Sequence, residues 1–425
     1  MISVQNHLRL LNGNKKPLLV FLFLIFIHAS CASRKPVQAV TPGRTEKAPA
    51  TVTEKERAVE EPAAAKPSKK AKQETHVVSF LLPFQFNKID EAASADAKAF
   101  DHSDLAIDFY NGARLAIDSL RNLGYSFTVN VFDSENDSTK IKAITADPLM
   151  KESELVIGPV YPNEFAGISE FSHKQKVLVV SPVSPASIAS FRNPYFVLVN
   201  NTLEAHAERF ALFVKEDLKA KNVIILRSNQ ASEERFAGSF KKKLDSVDKT
   251  ILKTEVNVSK SGTSAIKPAL SLQRENIIFI PSSDQAFVLT ALKYIRSLGD
   301  EYKVKILGHP RWVDFPNVDQ GMMQKLQVHL TTSYYPNYQD PETIRFVKLY
   351  RDIYNVEPSE FALKGFEQTL YFCTLLGERG KDLYKKFDKK KVNSTTYDFI
   401  SAGSAGYQNR FLNVVKYEDF QLIGQ

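Results

Sequence analysis

Short polar clusters that follow apolar runs are the residues of this chain best suited to chemistry. Tyr161-Pro162-Asn163-Glu164 follows one run and Val183-Ser184-Pro185-Ala186 another. Ser282-Ser283-Asp284 follows a third, and His309-Pro310-Arg311-Trp312 a fourth. Their hydroxyls, carboxamide and carboxylate can hydrogen-bond a polar ligand, and helix N-terminal amides beside them can take an anion. Bond-breaking chemistry finds little support. There is no Gly-x-Ser-x-Gly elbow, no His-Glu-x-x-His pair and no phosphate-binding loop. The eight histidines are scattered, and His206 and His309 each lack a neighbouring motif. No Cys/His spacing suits a metal. The chemistry on offer is noncovalent capture, without catalysis, cofactor or metal.

The elements around the first two clusters set where they stand. Leu155–Ile157 and Val177–Val180 read as consecutive apolar strands. Asn163 caps a helix through about His173, and Ser184-Pro185 reads as an N-cap with proline in the first turn. Continuous Val/Ile/Leu runs suit parallel strands covered on both faces. Adjacent parallel strands bring both following loops, 161–165 and 183–187, to one sheet edge, where open α/β sheets bind ligands. A purely connecting role for these loops stays open.

The same alternation runs along the chain. Val77–Leu82 is a strand, Asp104–Leu123 a helix, Phe127–Phe132 a strand and 138–148 a helix. The plan then repeats. Helices are expected at Leu203–Lys219, Glu233–Leu244, Ser264–Leu272 and Gln285–Leu298, with strands at Val223–Leu226, Ile251–Val256, Asn276–Pro281 and Val304–Leu307. Val328–Tyr334 leads into a helix at Pro341–Tyr354, with Phe346, Leu349, Tyr350 and Ile353 inward, and an apolar helix at Glu360–Gly377. Phe411–Tyr417 and Phe420–Ile423 read as a hairpin. The fold class is α/β: two doubly wound parallel-sheet lobes in succession.

Charge and the first residues bound the rest. The formal charge of +8 over 425 residues is concentrated before residue 76, and the remainder is close to neutral. There is no electrostatic footprint for nucleic acid. Residues 1–30 hold a basic start, then Leu18–Ile27, an apolar run too short for a comfortable span and suited to a signal peptide. His28-Ala29-Ser30-Cys31 resembles a bacterial lipobox, which implies cleavage before Cys31 and lipid on it. An ordinary signal peptide is the rival reading. Residues 31–75, rich in Ala, Pro, Lys, Glu and Thr, read as a disordered tether. Cys373, in LYFCTLL, reads as a buried small hydrophobe.

Taken together, VVSFLLPF, YNGARLAIDSL (with Gly112 and Ala116), VFDSEND, ELVIGPVYPNE, VLVVSPVSPAS, FVLVNN, IIFIPSSDQA, KILGHPRW, ALKGFEQTLYF and FLNVVKYEDFQL carry a resemblance. In order and spacing they resemble type I periplasmic ligand-binding proteins, nearest to the branched-chain amino-acid receptors that serve ABC transporters. The resemblance implies two lobes joined by a three-segment hinge, with a ligand cleft between them: 76–199 plus 334–405, and 200–333 plus 406–425. It implies ligand contacts at Tyr161, Asn163, Ser184, Ser282, Ser283, Asp284, Arg311 and Trp312. Amino-acid binders of the family place a carboxylate near the end of the segment KILGHPRW. Arg311 stands there instead, and an Arg repels an ammonium. Trp312, the only tryptophan, is a cleft platform or a packed side chain. The resemblance implies a lipid-anchored envelope receptor for a small amino-acid-like or peptide-like ligand, facing the periplasm from the outer rather than the inner membrane, with an ABC permease as partner. The alternative is a docking module of the same fold that activates a cell-wall synthase, as outer-membrane lipoproteins of this kind do.

Overall fold

Strands with apolar residues on both faces dictate how the chain packs. Along β1 (Thr75–Leu82), Val78, Phe80 and Leu82 join one core and Leu81 the opposite one. β3 (Leu155–Ile157) and β4 (Leu178–Ser181) alternate in the same way, with Val156 and Val179 on the side of Leu81. A strand of this kind must be covered by helices on both faces. The computed structural model describes residues 74–86, 97–316 and 318–425. The expected signal peptide, Cys31 and nearly all of the expected tether lie outside the described residues.

With β2 (Ser126–Asp133) and β5 (Phe196–Leu198), these strands form a parallel sheet in the order β2-β1-β3-β4-β5. The second sheet repeats the plan with β6 (Asn222–Arg227), β7 (Leu252–Asn257), β8 (Asn276–Ile280), β9 (Val304–Gly308) and β10 (Val328–Thr332), in the order β7-β6-β8-β9-β10. Every residue of β8 is buried, and each such apolar side chain contributes about 1.5–3 kcal/mol by leaving water. The doubly wound α/β architecture is therefore as expected, twice over.

Later segments complete both sheets. The hairpin β11 (Lys390–Val392) and β12 (Thr395–Tyr397) stands apart as its own small sheet, while β13 (Phe399–Ser401) and β14 (Tyr407–Asn409) extend the first, β14 lying parallel to β5. The hairpin β15 (Asn413–Glu418) and β16 (Gln421–Gly424) extends the second, antiparallel to β10. The chain thus passes between sheets three times. The third passage falls after Asn409, beyond the 405/406 division read from the sequence.

Two helices on the first sheet meet backbone to backbone. A Cβ on Gly112, in helix Ala97–Asn122, would collide with the Ala362 carbonyl; one on Gly365, in helix Glu360–Arg379, would collide with the Phe109 carbonyl. Side-chain-free contact of this kind sets the second helix at a fixed height over the sheet.

Several local expectations are overturned. Residues 264–272 form two 3-10 turns, Thr263–Ala265 and Lys267–Ala269, rather than a helix, because Pro268 has no N–H to continue one. No helix follows Ser184-Pro185; the Ser184 hydroxyl accepts from the Ala186 N–H, a local turn that competes with helix formation. On helix Pro341–Tyr354, Phe346 and Tyr350 are buried, but Leu349 and Ile353 face outward. Cys373 is fully buried, as its apolar neighbours suggest, and burial pushes its thiol far above the ordinary range. No described helix is long and apolar enough to cross a membrane.

Candidate functional site

The three passages between sheets run side by side, and one residue, Asn201, bonds to both of the others. Asn201, in the first passage, donates its backbone N–H to the Ser333 hydroxyl in the second at 3.3 Å. Its side-chain Nδ2 donates to the Asn409 carbonyl at the third, at 2.7 Å. His206 adds a second tie. Its Nδ1 bonds Thr331 Oγ1 at 2.8 Å, and its Nε2 lies 3.4 Å from Ser333 Oγ.

Beside these passages opens a cavity of about 610 Å³, lined from both sheets. The strand ends of the first sheet give Pro182, Val183, Val199, Asn200, Asn201 and Asn409. Those of the second give Ser283, His309, Arg311, Asp314 and Thr331–Tyr334. Helix Glu360–Arg379 adds Glu360, Lys364 and Gln368, and β12 adds Thr395 and Tyr397. The carboxyl ends of parallel strands are where open α/β sheets present loops and unspent backbone groups to a ligand.

The buried part of the wall carries polar side chains without charge. Asn201, His206, His309, Thr331, Gln368, Thr395 and Asn409 are all buried. Burial, with a lesser push from His309, drives the His206 imidazole down to about 3; burial, with Arg311, drives His309 down to about 4. His309 Nδ1 accepts from the Arg311 N–H, so its proton sits on Nε2. Glu367 lies behind the wall, accepting from the Ser394 N–H and the Thr395 hydroxyl, and desolvation raises its carboxyl to about 7. The charged lining residues are at the rim. Arg311, Asp314 and Glu360 are exposed, and Lys364 is part-exposed, paired with Glu360 at 2.8 Å and seated over the Tyr334 ring. His206 touches two hydroxyls and no carboxylate among the described residues, so it lacks the orienting anion of a nucleophile-activating triad.

Of the residues singled out from the sequence, Ser283 and Arg311 reach the cavity. Six do not line it. Asn163 is exposed and donates to the Asn136 carbonyl instead of capping a helix. Tyr161 packs against the first core, where desolvation raises its hydroxyl to about 12. Ser184 is buried in its own turn. The Ser282 hydroxyl accepts from the Asp284 N–H, and Asp284 caps helix Gln285–Ser297 while accepting from Gln230. Trp312 is fully buried, its indole N–H donating to the Ser282 carbonyl at 2.8 Å, so packing is its role. The sequence reading passed over Asn201, Gln368, Tyr334 and the Thr331–Ser333 pair. His206 and His309 also line the cavity, with no neighbouring motif in the sequence to mark them.

The family model for "Periplasmic binding protein" matches residues 101–404. Among solved structures, a putative branched-chain amino acid ABC transporter protein from Rhodospirillum rubrum is 15% identical with a TM-score of 0.63. The match covers 83% of this chain and 100% of that one. An ABC transporter substrate-binding protein from Desulfitobacterium hafniense, in complex with Leu, is 14% identical with a TM-score of 0.54, over 83% and 100% of the two chains. A branched-chain amino acid ABC transporter periplasmic ligand-binding protein from Burkholderia xenovorans is 15% identical with a TM-score of 0.57, over 82% and 94%. Identities at this level establish a common fold. No curated protein sequence matches the chain.

Proposed function

This chain belongs to the periplasmic binding protein family, and from that premise we propose that it captures a small polar ligand, amino-acid-like or peptide-like, between its two lobes, without catalysis. The observation that carries this reading is the cavity at the strand ends, walled from both sheets. Three adjacent passages suit a hinge, since a few short segments absorb the rotation of one lobe against another. The lobes we assign are 76–199 plus 334–409, and 200–333 plus 410–425.

Anchoring belongs to the same proposal. A lipid on Cys31 and a tether over 31–75 would hold the receptor on the periplasmic face of the outer membrane, near an ABC permease or another envelope partner. The lipobox-like sequence supports this. The rival role, a docking module that activates a cell-wall synthase, is favoured by one feature: Ile344, Leu349, Ile353 and Val356 are exposed on and just beyond helix Pro341–Tyr354.

A thermal-shift screen of the full chain against amino acids, short peptides, nucleosides and muropeptides tests the receptor reading. A ligand that binds only the native state raises the melting temperature by mass action. A saturable rise with one class supports it. A flat result across all classes sinks it and favours docking, for which pull-down with the cell-wall synthase is the next experiment.

A further inference from the structure

We infer that the amino-terminal edge of the first sheet is a basic docking surface that rests on anionic phospholipid headgroups, a reading that takes the anchoring proposal above as its premise. Parallel strands all start at one edge, so the residues leading into β1–β5 stand together, across the lobe from the cavity at the carboxyl ends. Helix Glu360–Arg379 runs from one edge to the other. Its Glu360, Lys364 and Gln368 line the cavity, while a Cβ on Gly377 would collide with the Tyr125 ring, just before β2. The 3-10 turn Gly380–Lys385 continues along that edge. Its Tyr384 ring meets Tyr195, just before β5, at 4.8 Å between centroids.

Cations gather at this edge. Lys151 leads into β3, Lys174 and Lys176 into β4 and Arg192 into β5, and Lys381 lies on the 3-10 turn. All are exposed, and none has an acidic partner among the described residues. Lys385 and Lys386 add exposed charge, paired with Asp382 and Asp388. The unpaired acids here are Glu74, Glu152 and Glu378. In the sequence, Lys66, Lys69, Lys70 and Lys72 come immediately before β1. The opposite edge carries the other sign, with Asp133, Glu135 and Asp137 clustered at the end of β2.

Two observations favour a bilayer over a soluble acidic partner. The chain enters the first sheet at Thr75, the first residue of β1, so the expected tether joins the lobe at the edge that bears the lysines. A lipid on Cys31 would bring that edge, rather than the cavity, to the membrane. The charge is also mostly lysine and spread over separate segments. Such an array suits a broad field of headgroups better than a converging pocket for one carboxylate. Each Lys or Arg brought to an anionic surface strengthens binding about fivefold, and the attraction fades within a Debye length of about 8–10 Å. The acidic edge turns outward in this pose, and the cavity faces away from the bilayer.

The test is co-sedimentation of the full chain with vesicles of phosphatidylcholine, alone or mixed with phosphatidylglycerol, at low and high salt. The expected result is tighter binding to the mixed vesicles, weakening as salt rises. The triple variant Lys151→Glu, Lys174→Glu, Lys381→Glu should lower that preference about tenfold or more. Lys242→Glu, Lys249→Glu, Lys267→Glu makes the same change of charge on exposed residues of the second lobe and should cost about twofold or less. Lys151→Gln, Lys174→Gln, Lys381→Gln serves if the first variant does not fold, with an expected loss of about fivefold. Equal losses in the two lobes, no loss in the first, or no preference for the anionic vesicles overturns the inference. So does binding to soluble poly-glutamate that the first variant weakens while vesicles are ignored, which assigns the edge to an acidic protein. Mass spectrometry of the chain taken from membranes tests the lipid on Cys31 separately, so the anchoring proposal and the docking surface can fail independently.

Discussion

The side chain of Asn201 donates to the main-chain carbonyl of Asn409, 208 positions along the sequence, and that bond joins the first passage between the lobes to the last. Its backbone N–H reaches Ser333 in the middle passage. A single small residue thus holds three strands of hinge in register. Asn201→Leu keeps the number and branching of the side-chain heavy atoms and removes the bond to the Asn409 carbonyl. A loss of about 1–3 kcal/mol is expected in urea unfolding. An unchanged midpoint would mean that the passages are held by other contacts.

Glu367 gives the protein a pH dependence of known sign. Around it stand Ser394, Thr395, Tyr334, Tyr397, Asp340 and Lys364. Its carboxyl titrates near 7 when folded and near 4.5 when unfolded, so the folded state holds the extra proton between those values. Stability from this group is full below 4.5 and declines as pH rises through 7, by up to about 3 kcal/mol. Glu367→Gln should be more stable than wild type at pH 8 and equal to it at pH 4.5. Urea unfolding at the two pH values compares them directly, and a difference that does not change with pH would contradict the assignment.

Buried histidines act in the opposite sense. His206 is pushed to about 3, His309 to about 4 and His329 to about 4, each chiefly by loss of hydration. The unfolded chain takes up these protons near 6.5 and the folded one resists them. Their contribution is fully present above 6.5 and is lost as pH falls toward 4. The melting temperature should therefore drop steeply between pH 6.5 and 4.5. His206→Gln should flatten that drop, and a parallel curve would show that His206 is not held neutral.

The glycine contact makes a mechanical prediction. Gly365→Ala places a methyl group against the Phe109 carbonyl and pushes helix Glu360–Arg379 outward. Overpacking of this kind costs about 1–3 kcal/mol or more. Lys364 and Gln368 ride on the same helix. Any ligand found in the screen should therefore bind the variant several-fold more weakly even where it is still folded. Full affinity in a destabilised Gly365→Ala would separate the helix from the site.

Strands were the legible part of this molecule, because apolar runs of parallel sheet must be buried whatever surrounds them. Ser283 and Arg311 reach the cavity because they follow strand ends directly. Trp312, one residue on, could not be placed: the chain enters a 3-10 turn at Pro310–Asp314, where neighbouring side chains point in different directions. Asn163 and Ser184 went astray because a polar residue after a strand has local backbone partners as well as ligands to choose from. Asn201 and Gln368 depend on which passage and which helix meet across the gap between the lobes. That information resides in contacts such as Asn201 to Asn409, which no local pattern announces.

The weave of the two sheets bears on how the protein is made. β13 and β14 finish the first sheet only after the whole of β6–β10 has been synthesised, and β15 and β16 finish the second later still. The first lobe cannot complete its sheet before β13 and β14 have emerged, nor the second before β15 and β16 have. Domains generally fold as units during synthesis, N-terminal first; here both must wait, and a chain cut short between β10 and β13 leaves two unfinished sheets instead of one finished lobe.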